Sequence, residues 1–458
     1  MTSCKQGHAV VLGAGMAGLL AARVLSEFYE SVRVIDRDSL PDSPRQRKGV
    51  PQGRHLHSCL SRGYQVLEEL LPGLCDDLVA AGARPMVDGD LSRIFTQIGG
   101  YQLNPPGKFA DPGALVFYLA SRPLLEFHVR CRVAQLDNVE FLDGRDILGL
   151  QVRAGAVTGV RIADRHHRLE SDVAADLVVD ATGRASRTPT MLAEFGYDRP
   201  VEERAEANWA YCSQLLSVAD EHVGAWMMLV DPGAGKPRGA LLAYEHGTWI
   251  LTIGRPVRGG DLPRDLAEML SAAEEVMPAK IVAGLRHAEP LGEPAVFRNT
   301  AGVRRRYEHL DRFPRGFLVT GDAFCSPNPI YGQGMTLAAL DAVALRDCLR
   351  AGEADLSGRF FRAAARHVGP TWAMNQASER DASGSPRPRS LKGRVRAAVM
   401  RSIFAAAGRD IVLTERFLRV RNLVDPPGQL GDPAVLARVL AVNLRLIRLA
   451  KPQTLPQS

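Results

Sequence analysis

At 458 residues, with 46% hydrophobic and 24% charged side chains, the chain has the balance of a folded globular protein, which excludes a disordered or fibrous one. It is too long for one simple core, so two or more substructures are expected. The 57 basic and 51 acidic residues are spread along the whole length, and their net charge of +6 suits anionic small molecules without demanding nucleic acid.

Seven cysteines, odd in number and without a CxxC pair, indicate neither a disulfide framework nor a thiolate metal site. A reducing cytoplasm is the expected compartment. The short polar lead before the first strand is read as leaving no room for a signal peptide, and no apolar run reaches the roughly 18 residues of a spanning helix.

Residues 9–36 come first in weight as well as in order. An apolar run (9–12) enters Gly13-Ala14-Gly15-Met16-Ala17-Gly18. A helix-like segment rich in Ala and Leu follows, and a second β-branched run (32–35) ends on Asp36. This strand–turn–helix–strand order is the setting a dinucleotide fingerprint requires. Gly13 permits the tight turn, Gly15 lets backbone approach a pyrophosphate, and Gly18 lets the helix pack closely on the strand. The helix N-terminal amides then face the phosphates. Asp36 lies 18 residues beyond Gly18, where a carboxylate accepts from a ribose hydroxyl.

Residues 37–57 are polar, basic and proline-broken, and read as a long loop beside the nucleotide site. Arg45, Arg47, Lys48 and Arg54 are candidates to meet phosphate, each weighed against ordinary solvation. His55 and His57 have no third ligand in view, so packing or a backbone hydrogen bond is the expectation for them. Residues 58–71 carry apolar side chains at helical spacing. Residues 86–117 turn strand-like, and Ser121-Arg122-Pro123 opens another helix with Arg122 placed for an anion. Residues 139–150 and 157–162 alternate like a hairpin, and 176–184 read as a buried strand ending in a small-residue turn.

Strands are expected at 211–218, 226–230, 239–244 and 249–253, forming an antiparallel sheet distinct from the first. The stretch 231–236 (DPGAGK) lacks the spaced leading glycine and the following Ser/Thr of a phosphate loop, and reads as a turn. Residues 262–282 are a helix or helix pair. A second glycine-rich anchor covers 316–336, where a strand (317–320) ends in Gly321-Asp322. A proline-rich loop then passes Gly332-Gln333-Gly334 into a helix (335–349), again setting amides at a helix start. Beyond Gly352 the chain is helical, with a break at 383–390. Residues 434–449 form a basic amphipathic helix with Arg438, Arg445 and Arg448, expected to dock on its own protein rather than on a membrane.

GAGMAG with an acid-ended second strand, the DATGR turn and GDA…NPIYGQGM, in this order, resemble the flavoprotein monooxygenases of the p-hydroxybenzoate hydroxylase fold. The resemblance covers most of residues 8–350. RKGVPQGRHLH, LLPG, DLVVDATGRAS and NPIYGQGM are closest to the bacterial polyether epoxidase and squalene epoxidase-like branch.

The resemblance implies an α/β fold. A Rossmann-like FAD-binding domain with a parallel sheet (1–85, 119–195, 296–352) is interleaved with an antiparallel-sheet substrate domain (86–118, 196–295), and a helical region covers 353–458. It implies FAD as cofactor, with Gly13, Gly15 and Gly18 holding the pyrophosphate, Asp36 the adenosine ribose, and Met16, Ala17 and Arg37 also among the cofactor-binding residues. Lys48 and Gln52 would lie near the flavin, Arg122 at the phosphate and ribityl region, and Gly321 with Asp322 at a ribityl hydroxyl. Pro329, Gly332, Gln333, Gly334 and Met335 would line the isoalloxazine.

The implied chemistry is oxygen transfer from a flavin hydroperoxide to an apolar polyketide or terpenoid intermediate, by epoxidation or hydroxylation, with no side-chain catalytic residue assigned and no metal. Tyr211, Trp226, Met228 and Tyr244, with Met227, are candidate substrate walls. Asp180-Ala181-Thr182-Gly183 departs from the Asp-Gly motif tied to pyridine-nucleotide use, so the electron donor is NAD(P)H or a separate flavin or pyridine-nucleotide reductase. The expected partner is a small apolar substrate, not nucleic acid. The alternatives are a cyclase of a polyketide pathway in which the flavin is structural, and a flavin-dependent reductase of isoprenoid double bonds.

Overall fold

The computed structural model describes residues 5–205, 209–233, 235–257, 260–298, 301–382 and 391–450. The break expected at 383–390 lies outside them. Two compact units emerge, each built from three stretches: 1–83, 120–208 and 299–379 for the first, and 84–119, 209–298 and 380–458 for the second.

The first unit is organised on five parallel strands: β1 (Gln6–Leu12), β2 (Tyr29–Ile35), β3 (Val139–Leu142), β4 (Leu177–Asp180) and β5 (Phe317–Val319), in the order β5-β4-β1-β2-β3. All four residues of β4 and all three of β5 are buried, as expected of parallel strands covered on both faces. Helix α1 (Met16–Leu25) buries Leu19, Leu20 and Val24. Helix α2 (Ser61–Leu70), α3 (Arg122–Ala134), α4 (Gly334–Arg350) and α5 (Leu356–Ala382) follow in the same connectivity. Both α1 and α2 pack on α4.

Three sequence expectations are corrected here. Residues 139–150 are not one strand of a hairpin. Gly144, at φ +61°, breaks the run, so Val139–Leu142 joins the parallel sheet beside β2. Arg145–Arg153 instead pairs with Ala156–Asp164, which in turn pairs with Glu170–Ala174. Strand Glu202–Ala205 pairs with Gly302–Arg305 and so belongs to the first unit, not to the substrate segment 196–295. The helical region 353–458 is likewise divided, its part up to 379 going with the first unit.

The second unit holds a sheet whose core strands are Trp209–Ser217, Thr248–Pro256, Arg238–Ala243 and Met227–Asp231, antiparallel neighbours in that order. Ile94–Ile98 pairs parallel with Met227–Asp231. The expected helix pair is Leu266–Glu274 and Ala279–Leu285. Three further helices are α6 (Leu391–Ala407), α7 (Ile411–Arg421) and α8 (Pro433–Ala450). Within this unit α7 is tied down firmly. Glu415 accepts from the amides of Ala110 and Asp111 at 2.8 and 3.3 Å, and Phe417 meets Phe404 edge-on at 5.1 Å between ring centres.

Candidate functional site

The parallel register aligns Leu12 with Asp180 and Asp180 with Val319, so the turns that follow β1, β4 and β5 are neighbours at the carboxyl end of the sheet. The glycines show how closely they meet. A Cβ on Gly13 (φ +103°) would stand 2.7 Å from the carbonyl oxygen of Ala181, and one on Gly321 (φ +60°) 2.5 Å from Cβ of Ala17. A Cβ on Gly18 would stand 1.8 Å from the Gly13 oxygen. At Gly334 the nearest such atom is Oδ1 of Asp322, at an ordinary 3.6 Å. Gly15 differs from all of these, because nothing lies within 4 Å of the place where its Cβ would be. It is the N-cap of α1 and no side chain caps the helix there, so the first-turn amides at Met16 and Ala17 face that open side.

Beside this turn lies a buried charge network. Asp36 accepts from the amide of Ala14 at 2.7 Å and from that of Asp38 at 2.8 Å. Arg47 comes within 3.4 Å of Asp36, donates to the Ala14 carbonyl at 3.0 Å and to Glu126 at 2.6 Å. Glu126 spends its other oxygen on Arg122, one helical turn earlier, at 2.8 Å. Burial opposes the charge on Glu126, but the two guanidiniums prevail and hold its carboxyl below the usual range. Arg122 itself stands at the first turn of α3, whose N-cap Ser121 accepts from Leu124. Of the loop cations weighed together in the sequence, Arg47 alone is buried, while Arg45, Lys48 and Arg54 are exposed. Glu126 was missed, although the one acid of this helix, four residues after an arginine, is a readable signal.

The second anchor is held from behind. Asp341 on α4 accepts from Thr320 Oγ1 at 3.2 Å and from the amide of Gly321 at 3.0 Å, and it meets Nε2 of His367 on α5 at 2.7 Å. That bracket sets the direction of Asp322. Asp322 as a residue is half-buried, and burial of its carboxyl raises its pKa, with Arg122 and Arg184 pulling it back. Gln333 is buried and its amide oxygen accepts from Asn375 at 2.8 Å. Pro329 begins the short helix Pro329–Tyr331, whose N-cap Asn328 accepts from Ile330 at 3.1 Å, and Gly332 ends it at φ +65°. Met335 is buried in the first turn of α4. His57, whose Nδ1 lies 3.0 Å from the carbonyl of His55, has its pKa lowered to about 4 by burial and by Arg122. This is the backbone-bonded role expected for it.

Asp180 is occupied inward. Its carboxylate accepts from the amide and hydroxyl of Thr182 at 2.8 and 2.6 Å, and from Ser186 and Thr188 hydroxyls at 2.5 Å each. The turn 181–184 is therefore shaped by a buried acid. Of the other predicted cofactor residues, Arg37 and Lys48 project as exposed side chains and Gln52 is half-buried in the short helix Pro51–Arg54. None of the three joins the charge network.

The candidate substrate walls do not form one surface. Cross-strand register places Met228 in one row with Leu241, Leu251 and Gln214. Tyr211 is three residues from Gln214 on the same strand, so Tyr211 and Met228 point to opposite faces of the sheet. Tyr211 stacks on Phe297 at 5.3 Å. Trp226 lies between the guanidiniums of Arg84 and Arg93, at 5.4 and 5.3 Å from its ring, and the Tyr244 carbonyl accepts from Arg84 at 3.0 Å. Single-residue candidates read from strands cannot be sorted by face until the register is known.

No protein-family model matches the chain. Protein Rv3254 of Mycobacterium tuberculosis is 37% identical over 454 residues, spanning 96% of this chain and 94% of that one. Squalene monooxygenase of Rattus norvegicus is 25% identical over 369 residues, 76% of this chain and 56% of the rat protein. Among solved structures, p-nitrophenol 4-monooxygenase PnpA of Pseudomonas putida DLL-E4 superposes with a TM-score of 0.62 at 16% identity, covering 92% of this chain and 99% of that one.

Proposed function

The chain belongs to the FAD-dependent monooxygenases of the p-hydroxybenzoate hydroxylase fold, and from that premise we propose that it epoxidises or hydroxylates an apolar polyketide or terpenoid intermediate of natural-product biosynthesis. The observation that carries the cofactor assignment is the contrast among the glycines. Gly13, Gly18 and Gly321 are closed against neighbouring backbone or Cβ atoms, while Gly15 opens to space beside uncapped amides. That is a cradle for a diphosphate.

In this reading the turn 13–18 and Arg122 neutralise the diphosphate of FAD, and Asp36 retains lone pairs for the ribose beyond its two amide bonds. Asp322 accepts from a ribityl hydroxyl, and Pro329 with 332–335 lines the ring system. Bound FAD supplies electron transfer and oxygen activation, chemistry that no side chain here provides. The chain's own task is to bind, orient and exclude water, and the amides opening α4 favour negative charge beside them. The inward-turned Asp180 supports delivery of electrons by a separate reductase rather than by NAD(P)H bound directly, and a cytoplasmic setting fits both. The similarity to squalene monooxygenase supports the apolar substrate and the epoxidation arm.

The test is anaerobic reduction of the purified yellow holoprotein with NADPH, NADH or a flavin reductase, followed by air and a polyene or polycyclic substrate. The expected result is oxygen-dependent product carrying one new oxygen atom. Asp322→Ala should weaken FAD binding by about tenfold or more, since the side-chain acceptor of the ribityl hydrogen bond is lost. A colourless protein indifferent to FAD would overturn the assignment. Turnover without reductant or oxygen would replace the oxygenase with a cyclase.

A further inference from the structure

Helices α6 and α8 run antiparallel in the second unit. Asn443 donates to the Ser402 carbonyl at 3.0 Å, and Arg438 reaches back to Asp410, just beyond the end of α6, at 2.9 Å. The docking expected for the C-terminal basic helix is met on one side only. Val439 is buried, and Val435, Val442 and Asn443 are half-buried beside it. On the other side Leu436, Leu440 and Leu444, spaced four apart and so in one line, are exposed, Leu440 to 61%. Helix α6 repeats the pattern: Leu391, Val395 and Val399 are also four apart and exposed, Leu391 to 75%. Scattered exposed aliphatics are ordinary, but two ruled lines on neighbouring helices are not.

Charge specifies what covers them. Neither 391–407 nor 433–450 contains an aspartate or glutamate. Arg394, Arg396, Arg401 and Arg445 are exposed and make no ion pair among the described residues, whereas Arg438 is paired with Asp410. Leucines flanked by unpaired arginines match the boundary between acyl chains and anionic headgroups. A second copy of the chain would set arginine against arginine, so self-association through this surface is opposed. No helix among the described residues is long and apolar enough to cross a membrane, so the contact is with the surface.

We propose that the outer faces of α6 and α8 form a docking surface for an anionic lipid bilayer, to which the enzyme binds peripherally. This goes beyond the oxygenase reading and does not depend on it. The leucine lines enter the headgroup boundary, and the arginines meet lipid phosphates and carboxylates.

The experiment is sedimentation of the full-length holoprotein with phosphatidylcholine vesicles, with and without roughly 30% phosphatidylserine. Binding should be at least about tenfold stronger with the anionic lipid and should weaken as salt rises from about 0.1 to 0.5 M. Each arginine near such a surface is worth about a fivefold change in partitioning, so Arg394→Gln with Arg401→Gln should lower binding by about 25-fold. Leu440→Ser with Leu444→Ser should lower it by about tenfold or more. Flavin content and melting temperature should stay at parental values in both, since the four side chains are exposed. Equal, negligible binding to both vesicle types up to about 1 mM lipid would overturn the proposal. So would variants that bind as the parent does, or a stable dimer that the leucine variant dissociates.

Discussion

The two units use arginine in opposite ways. In the first, Arg47 and Arg122 are buried, each has a carboxylate partner within 4 Å, and Arg47 also holds the fingerprint turn through the Ala14 carbonyl. In the C-terminal helices of the second, Arg394, Arg396, Arg401 and Arg445 stand in solvent on helices without acids. The same residue type is costly to disturb in one place and free to change in the other. What separates them is desolvation: a buried cation cannot lose its counter-charge, whereas a solvated one already has water.

The largest expected effect tests the buried side of that contrast. Glu126→Gln removes the carboxylate shared by Arg47 and Arg122 and should cost about 3–5 kcal/mol, read as a fall in urea midpoint at unchanged slope. Next, Gly18→Ala should cost about 3 kcal/mol or more, because its Cβ would overlap the Gly13 carbonyl. Gly15→Ala should leave stability within about 0.5 kcal/mol yet weaken FAD binding by about tenfold or more. If both glycine variants lost stability equally, Gly15 would be a packing glycine and not a ligand one.

The pH dependence is comparable in size but gradual. Burial lowers His55 and His57 to about 4. The folded rings refuse a proton that the unfolded chain accepts, so their contribution is complete above about pH 6.5 and is lost as pH falls towards 4. The loss is up to about 3 kcal/mol per ring. Urea midpoints across that range should fall, and His57→Gln should flatten the slope. The smallest effect belongs to the exposed arginines: Arg394→Gln with Arg401→Gln should move stability by less than about 0.5 kcal/mol, which a thermal melt can verify.

Much of the first unit was legible because its signals are local. Gly13 to Gly18, Gly321-Asp322 and Gly332–Gly334 are turn chemistry written in consecutive residues, and helices α1 and α4 begin where those turns say. What stayed hidden is tertiary. Nothing in the run from Arg45 to Arg54 marks Arg47 as the one that is buried, because its partner Glu126 comes 79 residues later. The fate of 139–150 hung on one glycine with a positive φ inside an otherwise continuous strand pattern. Tyr211 and Met228 look alike as wall candidates, and only cross-strand register sends them to opposite faces. The helix 434–449 was legible as amphipathic, but valines and leucines weigh the same in a periodicity, so its second apolar line was not.

The pairing of β4 with both β1 and β5 has a consequence for biosynthesis. The central sheet stays open at β4 from the synthesis of Asp180 until that of Val319, roughly 7 to 28 seconds at about 5–20 residues per second. Throughout that interval a nascent chain carries an unpaired strand edge whose first three residues are apolar, the kind of template that recruits chaperones or a neighbouring polypeptide. Yield of soluble protein should therefore depend on translation speed through the middle of the message, and any product ending before β5 should aggregate.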